Sequence, residues 1–221
     1  MNAAAKAKNP ANLYYQRANN RPGDRYFADI TGDGIVNADD QTSLGSPQPK
    51  LFGGLNWDGS YKQWDFNLYF YGVFGNKILN YMESSLESFQ NRGFVGVQNV
   101  SKEYYLNHWT PSNPSNEFAR AMYNDDEIGS NVPSSRWIEN GSFVKLKNLM
   151  IGYTFPQTMI KKIMASKLRV YFSTQNLFTI TKYSGLDPEI GLQGGNATQT
   201  GVDNGTYPSS RFYTVGFNLI F

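Results

Sequence analysis

Hydrophobic and polar positions alternate in five stretches of the chain, most clearly at its end. In RFYTVGFNLIF (211–221), Tyr213, Val215, Phe217, Leu219 and Phe221 share one parity, and Phe212, Thr214, Gly216, Asn218 and Ile220 share the other. A period of two held over about ten residues marks a β-strand whose faces meet different surroundings. The segment 166–178 repeats the rhythm, with Leu168, Val170 and Phe172 opposite Arg169, Tyr171, Ser173 and Gln175. Upstream, 65–74 sets Phe66, Leu68, Phe70 and Phe74 against Asp65, Asn67, Tyr69 and Tyr71. The segment 51–61 sets Leu51, Leu55, Trp57 and Tyr61 against Asn56, Asp58 and Ser60. In 143–155, Leu149, Ile151, Tyr153 and Phe155 share a face, yet Lys145 and Lys147 fall on the same parity. Either a β-bulge shifts the register there or both lysines lie above the apolar band, and the pattern leaves both open.

These strands, at about 51–61, 65–74, 143–155, 166–178 and 211–221, are joined alternately by short and very long connections. The short ones are roughly Lys62–Trp64 and the stretch 156–165, and the long ones are 75–142 and 179–210. Membrane barrels pair short periplasmic turns with long extracellular loops, whereas β-sandwiches have connections of similar length at both ends. A strand of about ten residues tilted by ~40° also matches an apolar band ~25 Å tall. The expected fold class is therefore all-β, an antiparallel transmembrane β-barrel, of which this chain is a C-terminal fragment of about five strands. Residues 1–50 are expected to be an extracellular loop region and 51–221 the barrel strands with their long loops. About five strands cannot close, because an open edge in lipid strands backbone groups at several kcal/mol each. Further N-terminal sequence is expected on that ground, and Met1 is followed by no apolar leader. Phe217, Leu219 and Phe221, apolar and ending in an aromatic, resemble the C-terminal signal read by barrel-assembly machinery.

Composition sharpens this picture. The 221 residues include 15 Tyr, 15 Phe, 4 Trp and 21 Gly, a bias towards pleated surfaces and tight turns. No run of 18 apolar residues occurs, which excludes a membrane helix but not a barrel. A net charge of +2 without a basic, aromatic-interleaved cluster excludes nucleic-acid binding. Cysteine is absent, so there is no disulfide framework. His108 is the single histidine, which rules out a His-dependent triad or multi-His metal site within the chain. Asp125, Asp126 and Glu127 read as a solvated loop face. The GLQGG run at Gly191–Gly195 follows no strand-to-helix step and makes no phosphate cradle. No convergent acid, base and nucleophile set remains, so no catalytic residue and no enzyme is expected. Trp109, Tyr123, Trp137 and Tyr183 have the chemistry to stack on sugar rings, but loop packing is the favoured reading.

One loop has ligand spacing. DITGDGIVNADD (29–40) places Asp29, Thr31, Asp33, the Ile35 carbonyl, Asn37 and Asp40 at positions 1, 3, 5, 7, 9 and 12 of an EF-hand-like calcium loop, with Gly34 at the turn. Thr at position 3 and Asp at 12 weaken the match, and a metal-free acidic turn competes with it. No cofactor is required, and a calcium ion there would be structural.

Taken together, several blocks carry a family resemblance. PGDRYFADITGDGIVNADDQTSLGSPQPK (22–50), the strand pair at 51–81, HWTPSNPSN (108–116), SSRWIENGSFVKLKNLMIGYTFP (134–156), VYFSTQNLFTITKYSGLDPEI (170–190) and YPSSRFYTVGFNLIF (207–221) occur in the order and spacing of one family. The chain resembles the C-terminal region of the SusC/RagA family of TonB-dependent outer-membrane transporters of Bacteroidetes, from about residue 13 onward. It departs after Asn116, where EFARAMYN replaces the usual Pro-Arg pair. The resemblance implies a plugged barrel of about 22 strands in the outer membrane, lidded by a SusD-like surface lipoprotein, importing oligosaccharides or sometimes peptides with energy delivered by TonB through an N-terminal part that finds no match here. Lipid and the barrel-assembly machinery would be further partners. The competing reading is a soluble, calcium-stabilised β-sandwich that binds carbohydrate.

Overall fold

A computed structural model describes residues 14–16, 19–87, 99–122, 132–161, 164–190 and 200–221. Tyr123, Asp125, Asp126, Glu127 and Gly191–Gly195 lie outside the described residues. The chain divides into two compact units, one comprising Met1–Leu44 with Asn80–Ile138 and the other Gly45–Leu79 with Glu139–Phe221.

The second unit is built on a five-stranded antiparallel sheet in the order β1-β2-β5-β6-β8. Its strands are β1 (Leu51–Tyr61), β2 (Trp64–Phe74), β5 (Phe143–Thr154), β6 (Lys167–Thr181) and β8 (Phe212–Ile220). Pairing in register keeps like with like. Leu55 faces Phe70, Trp57 faces Leu68, Phe66 faces Ile151, Ile151 faces Phe172 and Val170 faces Phe217. One face is thus apolar across all five strands. It is also bare, with Leu55 67% and Val215 76% exposed. A soluble monomer rarely leaves so large an apolar surface open. No second sheet covers it among the described residues, so the β-sandwich alternative is set aside.

The short connections, Lys62–Gln63 and 155–166, sit at one end of this sheet. Rings gather on the apolar face there: Trp64 lies 4.9 Å from Tyr153, Tyr153 lies 5.0 Å from Phe155, and Phe66 is 6.5 Å from both Trp57 and Trp64. Such a row suits the membrane interface, where an amphipathic ring meets headgroups.

Between β2 and β5 the register slips at Tyr69/Phe70, leaving Lys147 as the extra residue of a bulge. The bulge changes the parity of β5 upstream of it. Val144 and Leu146 join the apolar row, while Phe143 and Lys145 turn to the other face. Of the two explanations open for the lysines, the bulge is the one the structure takes.

The stretches expected as plain loops contain more order than alternation showed. Strands β3 (Lys77–Asn80), β4 (Ile138–Asn140) and β7 (Val202–Asp203) form a small sheet in the order β4-β3-β7. β3 follows β2, β4 precedes β5 and β7 lies between β6 and β8, so this sheet ties together the long-connection ends of the large one. Ile78, 0% exposed, is at its centre.

The first unit is irregular. Its helices are α1 (Tyr81–Leu86), capped by Asn80 on the Glu83 amide, and α2 (Lys102–Asn107), capped by Ser101 on the Tyr104 amide. Tyr15, Tyr104, Phe118 and Trp137 are its buried rings among the described residues. Glu87 accepts bonds from Arg25, Arg136 and the Trp137 indole at 2.6–3.3 Å, and Arg25 stacks over Trp137 at 4.7 Å.

Candidate functional site

The face opposite the apolar one carries the polar chemistry. Near the short-turn end, the Arg169 guanidinium on β6 reaches Asp65 on β2 across the intervening β5, with Nε–Oδ1 at 2.9 Å and Nη2–Oδ2 at 2.5 Å. Gly152 makes the reach possible: a Cβ there would lie 2.5 Å from both Asp65 Oδ1 and Arg169 Nη2. Next comes a ladder of amides. Asn148 Nδ2 donates to Asn67 Oδ1 at 2.6 Å, and Asn67 Nδ2 donates to Asn56 Oδ1 at 3.0 Å and Asp58 Oδ1 at 2.7 Å. Asn56 in turn donates to Asp58.

Towards the long-connection end, the bulge delivers both lysines to this face. Lys145 Nζ donates to Asp187 Oδ1 at 2.9 Å, to Oδ2 at 3.0 Å and to Glu189 Oε2 at 2.8 Å. Lys147 Nζ donates to both Glu189 oxygens, at 2.5 and 2.7 Å. Asp187 also accepts the Glu189 amide at 3.0 Å and the Ser209 amide at 3.1 Å. Burial pushes the Asp187 carboxyl up, but the Glu189 amide, the Lys145 ammonium and Ser209 outweigh it and hold it below the ordinary carboxylate range. Lys145 is 1% exposed, and a buried ammonium is tolerable only with partners of this kind. Arg169 with Asp65, and Lys145 and Lys147 with Asp187 and Glu189, are paired by charge, while Asp58 is held by the carboxamides of Asn56 and Asn67 alone.

The acidic loop at 29–40 closes on itself. Asp29 accepts the amides of Gly32 at 2.6 Å and Gly34 at 3.0 Å, and Asp33 accepts that of Ile35 at 3.0 Å. Asp40 accepts the amides of Ile30, Thr31 and Asn37 at 2.8–3.0 Å and the Thr31 hydroxyl at 3.1 Å. The Thr31 and Asn37 amides depress the Asp40 carboxyl most. Asn37 caps the short 3-10 turn Ala38–Asp40 in a reciprocal box with Asp40. Among the described residues, no three acidic or histidine side chains converge as a metal site.

Phe217 and Leu219 lie on the apolar face of β8 with Val215, and Phe221 follows the strand, 81% exposed. His108 is the residue after α2, its Nδ1 within 2.8 Å of the Tyr105 carbonyl, and it packs on Tyr104. Trp137 and Tyr183 are buried, and Trp109 lies against Gly23, where a Cβ would meet the indole at 2.3 Å. These rings are packing groups. The matched Lys145, Lys147, Asp187 and Glu189 cluster escaped sequence reasoning, whose only signal for it was the wrong-parity lysines.

A continuous sheet, apolar on one face and polar on the other, with short turns at one end and an aromatic row beside them, is a piece of outer-membrane β-barrel wall. No family model matches the chain. It is, however, 36% identical over 204 residues to the TonB-dependent receptor P3 of Formosa agariphila, covering 90% of this chain and 19% of that protein. It is 27% identical over 207 residues to the TonB-dependent receptor SusC of Bacteroides thetaiotaomicron, covering 92% and 18%. Among solved structures, the RagAB peptide importer in its open-open state superposes with a TM-score of 0.66 at 27% identity, covering 85% of this chain and 19% of that one. The chain thus spans about a fifth of the length of the relatives it matches. It is a segment of the SusC/RagA family of TonB-dependent outer-membrane transporters, and its place is the outer membrane.

Proposed function

We propose that this segment supplies part of the barrel wall and outer loops of a TonB-dependent importer of oligosaccharides. The observation that carries the substrate class is the chemistry of the polar face. Its cations Lys145, Lys147 and Arg169 are paired with carboxylates, and the ladder Asn56, Asn67 and Asn148, grouped around Asp58, offers carboxamide groups and one carboxylate suited to neutral, hydroxyl-rich ligands. Peptide import is the second reading, favoured by the similarity to the RagAB peptide importer. Uptake separates them. Cells with the receptor gene deleted and restored are supplied in turn with labelled neutral oligosaccharides and with oligopeptides. Restoration of oligosaccharide uptake alone supports the proposal, and restoration of peptide uptake alone overturns it.

The long-connection end is the outward one in this reading and contacts a SusD-like surface lipoprotein, while TonB acts through a part of the importer other than this segment. Purification of the receptor in detergent should bring down a lipoprotein in equimolar amount. The last strand, with Phe217, Leu219 and Phe221 outward, is the part read by the barrel-assembly machinery.

A further inference from the structure

A long link between two barrel strands reads, by sequence, as a hydrated outer loop free to swing. The described parts of the β6–β8 link, 182–190 and 200–210, are instead anchored to other strands at three places and tied to each other at a fourth. Asp187 and Glu189 hold the buried Lys145 and Lys147 of β5, and Asp187 also takes the Ser209 amide, so both flanks of the link meet at one carboxylate. Tyr183, itself buried, donates its hydroxyl to Asp203 at 2.5 Å, and Asp203 accepts the amides of Gly205 and Thr206. Ser184 donates its amide and hydroxyl to Glu139 at 2.8 and 2.7 Å. Finally, β7 joins the small sheet, where the Leu79 amide donates to the Gly201 carbonyl at 2.8 Å.

The buried lysine decides what this means. If the link swung out, Lys145 would lose every carboxylate it touches while staying on a wall strand fixed on both sides. A charge stripped of its partners in that way opposes the motion strongly. Hydrogen bonds within the link would not give this coupling; a cation on the wall does. We propose that these parts of the link are a stationary lining of the polar wall, clamped by Lys145 and Lys147, and that they stay docked while ligand passes. The motions of an import cycle then belong to other elements. The proposal rests on the reading of the polar face as the lining of the import path, but docking and transport are measured separately.

The test uses the complete receptor in outer-membrane vesicles. Hydrogen exchange should find the Glu189 and Ser209 amides protected to within about tenfold of the β5–β6 ladder amides. In the Lys145→Met receptor their exchange should rise by about a hundredfold or more, with the ladder unchanged. Exchange in the parent receptor at the rate of an open loop overturns the proposal whatever the receptor imports. A second measurement does not depend on how the Lys145→Met variant folds. Glu139→Cys with Ser184→Cys, bridged by a short reducible bis-thiosulfonate reagent, should import within twofold of its reduced form. Uptake abolished by bridging and restored by dithiothreitol means that the link must move, which also overturns it.

Discussion

Gly152 shows how one missing side chain shapes the polar wall. Its hydrogen leaves the gap through which Arg169 reaches Asp65 two strands away. Gly152→Val should put methyl groups on both partners, part the pair and destabilise the barrel by about 1–3 kcal/mol, the usual range for overpacking. The temperature at which the receptor loses its folded, fast-migrating band in SDS gels should fall, and an unchanged temperature would show that the pair is idle. Asp187 gives a prediction in pH. Its folded value is depressed, so its contribution is complete above the unfolded carboxylate value of about 4 and fades as pH falls through the lower folded value. An Asp187→Asn receptor should therefore melt below the parent by a constant margin from about pH 8 to 5, and the margin should close in acid below about pH 4. Calorimetry in detergent checks this, and a margin that widens in acid would reverse the assigned sign. At the acidic loop, Asp40 joins residues 30, 31 and 37 through backbone amides. Asp40→Ala should speed exchange at those three amides, and an unchanged rate would show its bonds to be idle. Slowing of the parent's exchange by calcium, reversed by EDTA, would support the structural cation that the loop's spacing suggests.

The elements differ in how far sequence exposes them, and for physical reasons. The five long strands are legible because each separates lipid from a polar side, and that contrast writes a period of two into the residues. β6 is the partial exception: alternation runs to 178, but the strand reaches Thr181, beyond a register irregularity near Asn176, whose φ of 53° breaks the pattern. The bulge at Lys147 left only an ambiguous trace, since two lysines on the apolar parity fit either a slipped register or a position above the membrane. β3, β4 and β7 are two to four residues long, too short for periodicity to register, and exist only because β2, β5 and β6 bring their ends together. The Lys145–Asp187 pair is 42 residues apart in sequence and equally beyond local reading. Deleting Lys147 tests the bulge. The chain from Phe143 to Leu146 would exchange faces, sending Lys145 to the lipid side at a cost of about 2–4 kcal/mol if it lies near mid-membrane, less towards the interface, and stranding Asp187. Folded receptor in the outer membrane should drop severely, whereas Lys147→Ala, which keeps the extra residue, should assemble. Equal assembly of both would mean that the bulge does not set the faces.

For the whole molecule, the sheet's outer margins carry the argument. β1 and β8 each pair on one side only among the described residues, so each presents a row of backbone donors and acceptors beside an apolar surface. In water that surface drives association, and in lipid the open rows have no solvent to satisfy them. Neither medium suits the segment by itself, whereas a closed barrel satisfies both edges with neighbouring strands. β8 has a particular place in closure, because its outward residues Val215, Phe217 and Leu219 continue the apolar row of β6 while its free side awaits a partner. Phe221, just past the strand and 81% exposed, is available to whatever guides that pairing. Phe221→Ala in the complete receptor should lower its level in the outer membrane several-fold without lowering the melting temperature of the fraction that assembles, because the ring is largely exposed at the end of this segment. Quantitative blotting of outer-membrane fractions and melting of the purified survivor separate the two effects. A normal level with a lowered melting temperature would make Phe221 an ordinary packing residue, and the expected reverse assigns it to assembly.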